Sequence, residues 1–563
     1  MIQRNTLVSL AAAATLSACC PPKTAKVATL PDPNTTQPTP DPTPATPDPV
    51  PTPDAQPKAV VQTAAPQNLQ FPDEEFRRQQ PAAEAPRAFA MPTVAPFKLK
   101  NGIEVYLVQK SDLPIVSIDL SFEGGAALDP KGKEGLASVC MSLISEGTTR
   151  LDKVAYAEAL GDLASDVSSY ASQDTVGLSM NSLSRNIDAT FALFAETLLT
   201  PGMRDSDFDR LVKRRIESVK QSKGSPDSLL GRVSPVVLYG ANHPLGSVTT
   251  ETSLGAVTLD DCKAFATKAL KPQGAKLFVV GDMNEARVRS LFEGATLASF
   301  QGKGLPRTKP PAPTKPTARI YFVDVPNAAQ SQVAMLAPGP KRTDKAYFAN
   351  SMMVSVFGGG FTSRVNMNLR EDKGYSYGAR GSFNYNRDFG TFVAAASVRT
   401  DASYQSLLEL QKEFVALASG KAPVTTEELQ REKNGLTLAL PARFATGGSA
   451  LAQYRGLQYF GLPMNYYNSF VGNVNAVTAA QVSDAAKKQL RSKDTVYLVI
   501  GDGNAKVIVH DAAGKKDVPL LKDGKPVTLR EALEDLAKNG TAAGGVGAGG
   551  LMVLDADGRT KTP

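Results

Sequence analysis

The sequence predicts an α+β fold in two homologous halves, each a largely antiparallel sheet with helices packed on it. Three observations point there. Blocks recur at a nearly constant spacing: Ala256-Val257-Thr258 returns as Ala476-Val477-Thr478, and LFVVGD ending at Asp282 returns as YLVIGD ending at Asp502, both 220 positions on. Pro201 and Pro423, each ahead of a polar helix start, are offset by 222. Self-similarity at a fixed spacing marks duplicated units. Each copy mixes the two-residue alternation of strands with the 3.6-residue period of helices. Between the copies lies PRTKPPAPTKPT, residues 306–317, whose five prolines make a natural linker.

In the first copy, FKLKNGIEVYLVQK (97–110) places Asn101-Gly102 between two alternating stretches, a hairpin signal. PIVSIDLSFEGG (114–125) alternates again, and NIDATFALFAETLLT and DFDRLVKRRIESVK have helical periodicity. The second copy repeats this, with ARIYFVDVP, SQVAMLAPG and FGTFVAAASV as strands between helices. Beyond it, TLREALEDLAK (528–538) predicts a short charged helix, TAAGGVGAGG a flexible stretch, and LMVLDADGRT a short hairpin strand.

The chain has 563 residues, 42% hydrophobic and 21% charged, enough for more than one packed core. Its net charge of +7 is mild for this length, and Lys and Arg are scattered, so a solvated surface is expected and nucleic-acid binding is not. There are two histidines, His243 and His510, and four cysteines, Cys19, Cys20, Cys140 and Cys262. Apart from the Cys19-Cys20 pair, neither type clusters locally, as the common zinc sites require.

The amino terminus, MIQRNTLVSLAAAATLSACC, has a positive start at Arg4, an apolar run from Leu7 to Leu16 and then small residues. This is a secretory signal, too short to span a bilayer. Its end, Leu16-Ser17-Ala18-Cys19, resembles the lipobox of bacterial lipoproteins, which implies lipidation at Cys19. Cys20 rather than Asp follows, which by the usual sorting rule implies the periplasmic face of the outer membrane. Thirteen of residues 21–60 are proline, predicting an extended, semi-rigid tether. The expected organisation is a signal peptide over 1–18, a Pro/Thr-rich tether over 19–88, domains over 89–305 and 318–510 joined by the 306–317 linker, and a partly flexible tail over 511–563.

Residues 135–148, GLASVCMSLISEGT, form an amphipathic helix pattern with Leu136, Val139, Cys140, Leu143 and Ile144 on one buried stripe. Ser138, Met141 and Ser142 fall at i, i+3 and i+4 on the neighbouring face, where two metal ligands and a base would meet over one turn. The segment resembles the GLAHFLEHMLFKGT-type block of the insulinase/pitrilysin family, zinc peptidases with an H-x-x-E-H motif built on tandem domains. Gly135, Leu136, Ala137, Gly147 and Thr148 match. Ser138 and Ser142 stand where the zinc-binding histidines belong, and Met141 where the general-base glutamate belongs. The register of the third ligand, a glutamate in a later helix, falls on Ser218, with Glu217 beside it. The resemblance therefore implies a degenerate, non-catalytic member with no zinc of its own. NHPLG (242–246) is similar to a loop of the family, which makes His243 a loop histidine rather than a ligand. His510, at the end of a strand, reads as incidental.

In the second copy, GGGFTSRVNMNLREDKGYSYG (358–378) is similar to the family's Gly-rich turn, helix and Leu-Arg-Glu-x-x-Gly-x-x-Tyr block. The match implies that Arg370 and Tyr377 are the Arg/Tyr pair that binds the substrate backbone, a fork of donors and one more that can grip a carbonyl. The competing expectation is that Arg370 pairs with Glu371 or Asp372 while Tyr377 packs at a strand end. No Lys-Ser/Thr follows Gly358 to Gly360, so this is not a phosphate loop.

The resemblance covers roughly residues 90–510 and implies a non-catalytic subunit, like one chain of mitochondrial processing peptidase. Its partner would be a homologue carrying H-x-x-E-H and the zinc, and its substrate unfolded peptide. A structural or binding envelope lipoprotein on an inactive scaffold is the alternative, as with the core proteins of the mitochondrial respiratory complex. A zinc peptidase using other ligands is the remote one. No Ser or Cys has a recognisable His and acid arrangement for nucleophilic catalysis.

Overall fold

The structure, a computed structural model, describes residues 94–313, 315–316, 319–511, 516–540 and 550–561, together with Glu75. The expected signal peptide, Cys19 and, Glu75 apart, the tether lie outside these residues.

The strands of the first half are β1 (Phe97–Lys98), β2 (Glu104–Gln109), β3 (Ile115–Glu123), β4 (Asp166–Ala171), β5 (Thr175–Leu183) and β6 (Lys276–Gly281). They make one sheet in the order β1-β2-β6-β3-β5-β4, antiparallel except for β2 beside β6. Gly102, at φ 89°, lets the chain reverse between β1 and β2, as the Asn-Gly pair predicts. The second half supplies β7 (Ile320–Asp324), β8 (Gln330–Gly339), β9 (Ser376–Tyr385), β10 (Gly390–Arg399) and β11 (Val496–Gly501). Two short hairpins follow, β12 (Ile508–His510) with β13 (Asp517–Pro519), and β14 (Leu521–Lys522) with β15 (Lys525–Pro526). With β16 (Leu551–Leu554) the second sheet runs β16-β7-β11-β8-β10-β9. Strand for strand this is the first sheet again, with β16 where β1 would be but parallel to its neighbour.

The helices repeat in the same way. The first half has α1 (Leu136–Ile144), α2 (Lys153–Asp162), α3 (Ile187–Leu199), α4 (Asp205–Ser222), α5 (Pro226–Tyr239), α6 (Glu251–Gly255), α7 (Leu259–Ala269) and α8 (Glu285–Phe292). The second has α9 (Tyr347–Gly358), α10 (Arg364–Asn366), α11 (Ser403–Ser419), α12 (Thr426–Leu438), α13 (Gly447–Tyr459), α14 (Phe470–Asn475), α15 (Ala479–Gln489) and α16 (Leu529–Asn539). The repeated Ala-Val-Thr blocks explain themselves: Thr258 and Thr478 cap α7 and α15, each reciprocally with the residue three on, Asp261 or Gln481.

Strand alternation gives each sheet two faces. In the first, Val105, Ile118, Leu120, Leu277 and Val279 pack with Phe191 and Phe194 of α3 and with Ala137, Met141 and Ile144 of α1. The opposite face carries Tyr106, Val108, Phe278 and Val280. It is covered not by a helix of its own half but by α13, which packs on β3 and β6. Conversely α5 crosses to the second sheet and packs on β8 and β11 through Leu229, Val233 and Val237. The equivalent helix of each copy thus completes the other copy's sheet. Asp119 of β3, 1% exposed, pins one exchange. It pairs with Arg455 of α13 at 3.0 Å and accepts hydrogen bonds from Ser179 and Tyr170 at 2.8 and 3.1 Å.

The tail is part of this core. Leu529, Leu533 and Leu536, spaced i, i+4 and i+7, turn one stripe of α16 into the second half. After β16, Asp557 is held by Arg232 of α5 at 2.6 Å and Lys223 at 2.9 Å, so the tail also engages the first half. Among the described residues, no helix is long and apolar enough to cross a membrane.

Candidate functional site

The degenerate metal positions lie on α1. This helix is enclosed on two sides. Leu136, Val139, Cys140 and Leu143 face α4 and α7 with Phe208, Leu211 and Cys262, whereas Ala137, Met141 and Ile144 face the sheet. The structure corrects the expected grouping of Ser138, Met141 and Ser142 on the one face beside the buried stripe. Met141 is 1% exposed and belongs to the sheet-facing core, while Ser138 and Ser142 are half-buried. At 3.6 residues per turn the three diverge enough for the sheet to claim the middle one.

Opposite the two serines stands Arg215 of α4. Phe208, Leu211, Arg215 and Val219 follow i, i+3, i+7 and i+11, so this arginine falls on the helix's inward stripe. Its Nη2 donates to Ser142 Oγ at 2.6 Å and to the Ser138 carbonyl oxygen at 3.1 Å. Its Nε is buried without a hydrogen-bond partner. Burial lowers its pKa from the ordinary arginine value, and the charge of Arg214 adds to that. Ser218, in the register of the third ligand, is exposed, and Glu217 is exposed and paired with Lys220 at 2.8 Å.

These residues do not fit a zinc ion. Two hydroxyl side chains replace imidazoles, the base position is packed away, and a guanidinium is hydrogen-bonded to one of the ligand positions, where it would repel a divalent cation. Among the described residues, no three of His, Cys, Asp and Glu gather to hold a metal.

The helix is further fastened. Cys140 and Cys262 form a disulfide between α1 and α7, 122 residues apart. The sequence placed Cys140 on the buried stripe but gave no sign of its partner. Glu146, just beyond α1, pairs with Arg210 of α4 and with Lys153 of α2, the latter at 2.7 Å. Burial works against its ionised form, but these two cations outweigh it and hold the carboxyl below its ordinary value.

The second-half positions differ in every respect. Arg370 lies in a π-helical turn, Met367–Asp372, that continues α10, an irregular geometry frequent at functional sites. Its guanidinium pairs with Glu371 at 3.2 Å and lies 4.6 Å from the ring centre of Phe361, which is 58% exposed. In β9, Ser376 is opposite Val398 and Ala379 opposite Ala396, so Tyr377 and Gly378 together face one residue of β10. Such a bulge re-aims a side chain, and Tyr377 is 86% exposed rather than packed at the strand end. Two buried asparagines that sequence reasoning passed over hold this surface. Asn366 donates to the Phe361 carbonyl at 2.6 Å and accepts from the Ala379 amide at 3.1 Å, tying the Gly-rich turn to β9. Asn368 donates to Glu409 and Glu413 of α11, at 2.9 and 2.8 Å, and pegs the π turn. Their spacing in the sequence is no different from that of surface residues.

Both histidines are engaged locally. His243 Nδ1 accepts from the Leu245 amide at 3.0 Å while Nε2 meets the Pro311 carbonyl at 2.9 Å, which fixes the interdomain linker. His510 contacts Asp517 across its hairpin at 3.1 Å and the Tyr375 hydroxyl at 3.2 Å.

Comparison with known proteins places this architecture. The profile described as insulinase (peptidase family M16) matches residues 104–234, and that described as the peptidase M16 inactive domain matches residues 256–436. A Helicobacter pylori protein named non-peptidase homolog YmxG is 24% identical over 396 residues, 69% of this chain and 90% of the relative. The zinc protease PqqE of the same organism is 24% identical over 352 residues, 60% of this chain and 76% of the relative. Among solved structures, a peptidase M16 inactive domain from Pseudomonas fluorescens superposes with a TM-score of 0.67 at 25% identity, covering 73% of this chain and 98% of that one. The two copies, their tandem α+β sheets and the matched segments agree: this chain belongs to the insulinase family, peptidase family M16.

Proposed function

We propose that this chain is the non-catalytic subunit of a two-subunit zinc peptidase of the cell envelope. It holds unfolded peptide through Arg370 and Tyr377, while a homologous partner carries H-x-x-E-H and the zinc. One contrast carries the reading: in the first half the ligand positions of α1 are Ser138 and Ser142, the base position is the buried Met141, and Arg215 is hydrogen-bonded against the serines, while Arg370 and Tyr377 remain presented to solvent. The organism that has a non-peptidase homologue among the relatives also has a zinc protease, the two kinds of chain such a pair needs. A disulfide favours an oxidising compartment, in keeping with an exported chain lipidated at Cys19 on the periplasmic face of the outer membrane.

The test uses the chain without its signal and lipidated cysteine, alone and mixed with the H-x-x-E-H homologue from the same genome. Bound zinc and cleavage of an unstructured peptide are measured. The expected result is no zinc and no cleavage alone, cleavage in the mixture above that of the homologue, and loss of that gain with Arg370→Ala or Tyr377→Phe. Stoichiometric zinc and chelator-sensitive cleavage by the lone chain would overturn it, as would a mixture no faster than the homologue.

A further inference from the structure

Arg215 poses a problem that its two hydrogen bonds do not solve. A buried guanidinium costs several kcal/mol to desolvate unless a counter-ion compensates it. Yet among the described residues no carboxylate lies within ion-pair distance of Arg215; its partners are a hydroxyl and a carbonyl. Every other influence on its charge is unfavourable, because Arg214 beside it has the same sign. Arg210 and Lys220 of α4 and Lys223 just beyond it are served differently: Arg210 has Glu146 and Asp207, Lys220 has Glu217, and Lys223 has Glu251 and Asp557. The uncompensated cation stands on the inward stripe of α4, against the half-buried serines of α1, with exposed Arg214 beside it.

We propose that the place where α4 meets the former metal positions of α1, now serines, is a carboxylate-binding site built on Arg215, and that its ligand is an acidic group of a peptide. Arg215 supplies the charge, and Ser142 and the Ser138 carbonyl orient the guanidinium by taking Nη2, which leaves Nη1 to meet a carboxylate, Nε being buried. Arg214 raises the local positive potential and draws the anion in. The first half thereby exchanges a cofactor that cleaves for a fixed charge that retains. In taking the carboxylate to belong to a peptide, the proposal rests on the reading of this chain as a substrate-holding subunit. The charge itself is independent of that reading and of Arg370 and Tyr377.

The experiment is calorimetric titration of the lone, disulfide-intact chain at low salt with three acetylated alanine pentapeptides. One ends in a free carboxylate, one in an amide, and one in an amide with a central glutamate; inorganic phosphate is the fourth probe. Binding of one or both carboxylate peptides is expected, the two arms separating a C-terminal from a side-chain source, with no binding of the plain amide. Arg215→Met lowers the affinity by about tenfold or more, and Arg214→Gln, a change at an exposed position, lowers it less. Without ligand, Arg215→Met melts no lower than the parent, because an uncompensated charge has been removed. Equal binding of acid and amide, no binding at all, tighter binding of phosphate, or a lowered melting point without loss of affinity would overturn the proposal. Because the partner is absent here, a negative titration is distinct from failure of the mixed cleavage assay.

Discussion

The two halves share one architecture and treat corresponding functional ground in opposite ways. In the first, the helix bearing the metal positions is wedged between a sheet and a helical layer, cross-linked by Cys140–Cys262, clamped by Glu146 and occupied by Arg215. In the second, Arg370 and Tyr377 stand on irregular backbone, a π turn and a bulge, and remain exposed, while buried Asn366 and Asn368 hold the backbone from behind. One copy has converted a reactive surface into core; the other keeps a surface that core residues merely support. The lesson is energetic: substitution at the packed and cross-linked positions of the first region should register as stability, and substitution in the second as binding.

Four measurements press on that contrast. The harshest is Met141→Glu, which returns the family's residue to a position that is 1% exposed. With Met141 packed against the sheet, the substitution costs about 3–5 kcal/mol in denaturant melts at neutral pH. A cost near zero would mean that α1 can open. Next comes the disulfide. Cys140→Ser with Cys262→Ser should lower stability by about 2–4 kcal/mol, read by calorimetry, and the loss should match that from reduction of the parent.

A gentler probe is pH. Glu146 has a folded pKa held below its ordinary value of 4.5. Its contribution is therefore complete above pH 4.5 and disappears as pH falls through the lowered folded value. Melting temperature against pH should consequently flatten in that acid range for Glu146→Gln, and parallel curves would remove the clamp from the account. The smallest effect belongs to the other half. Arg370→Ala and Tyr377→Phe should each change stability by about 0.5 kcal/mol or less, since one side chain is in a surface ion pair and the other is free of packing. A large loss at either would dissolve the contrast.

Much of this was legible beforehand, for identifiable reasons. The repeat was visible because Thr258 and Thr478 perform the same capping task and the strands ending near Asp282 and Asp502 occupy the same sheet position. The blanks at Ser138 and Ser142 were visible because metal chemistry tolerates few residue types. What escaped were relations between distant segments. Cys140 and Cys262 belong to separate helices, and no local rule pairs them. Arg215 sits one turn before Ser218 and meets Ser142 and Ser138 of α1, 73 and 77 residues away in the sequence. Its position on an apolar stripe was the available clue. The tail read as a charged helix and a short strand, but a parallel pairing with β7 depends on an edge that the tail itself does not encode.

The exchange of α5 and α13 also governs how the molecule comes into being. Synthesis runs from the amino end, so the surface bearing Tyr106, Val108, Phe278 and Val280 is complete at residue 281, while its cover ends at Tyr459. For the whole interval the growing polypeptide carries a bare greasy plane. Until α13 closes over it, that plane is an aggregation-prone surface, and a chain cut at the 306–317 linker would keep it bare.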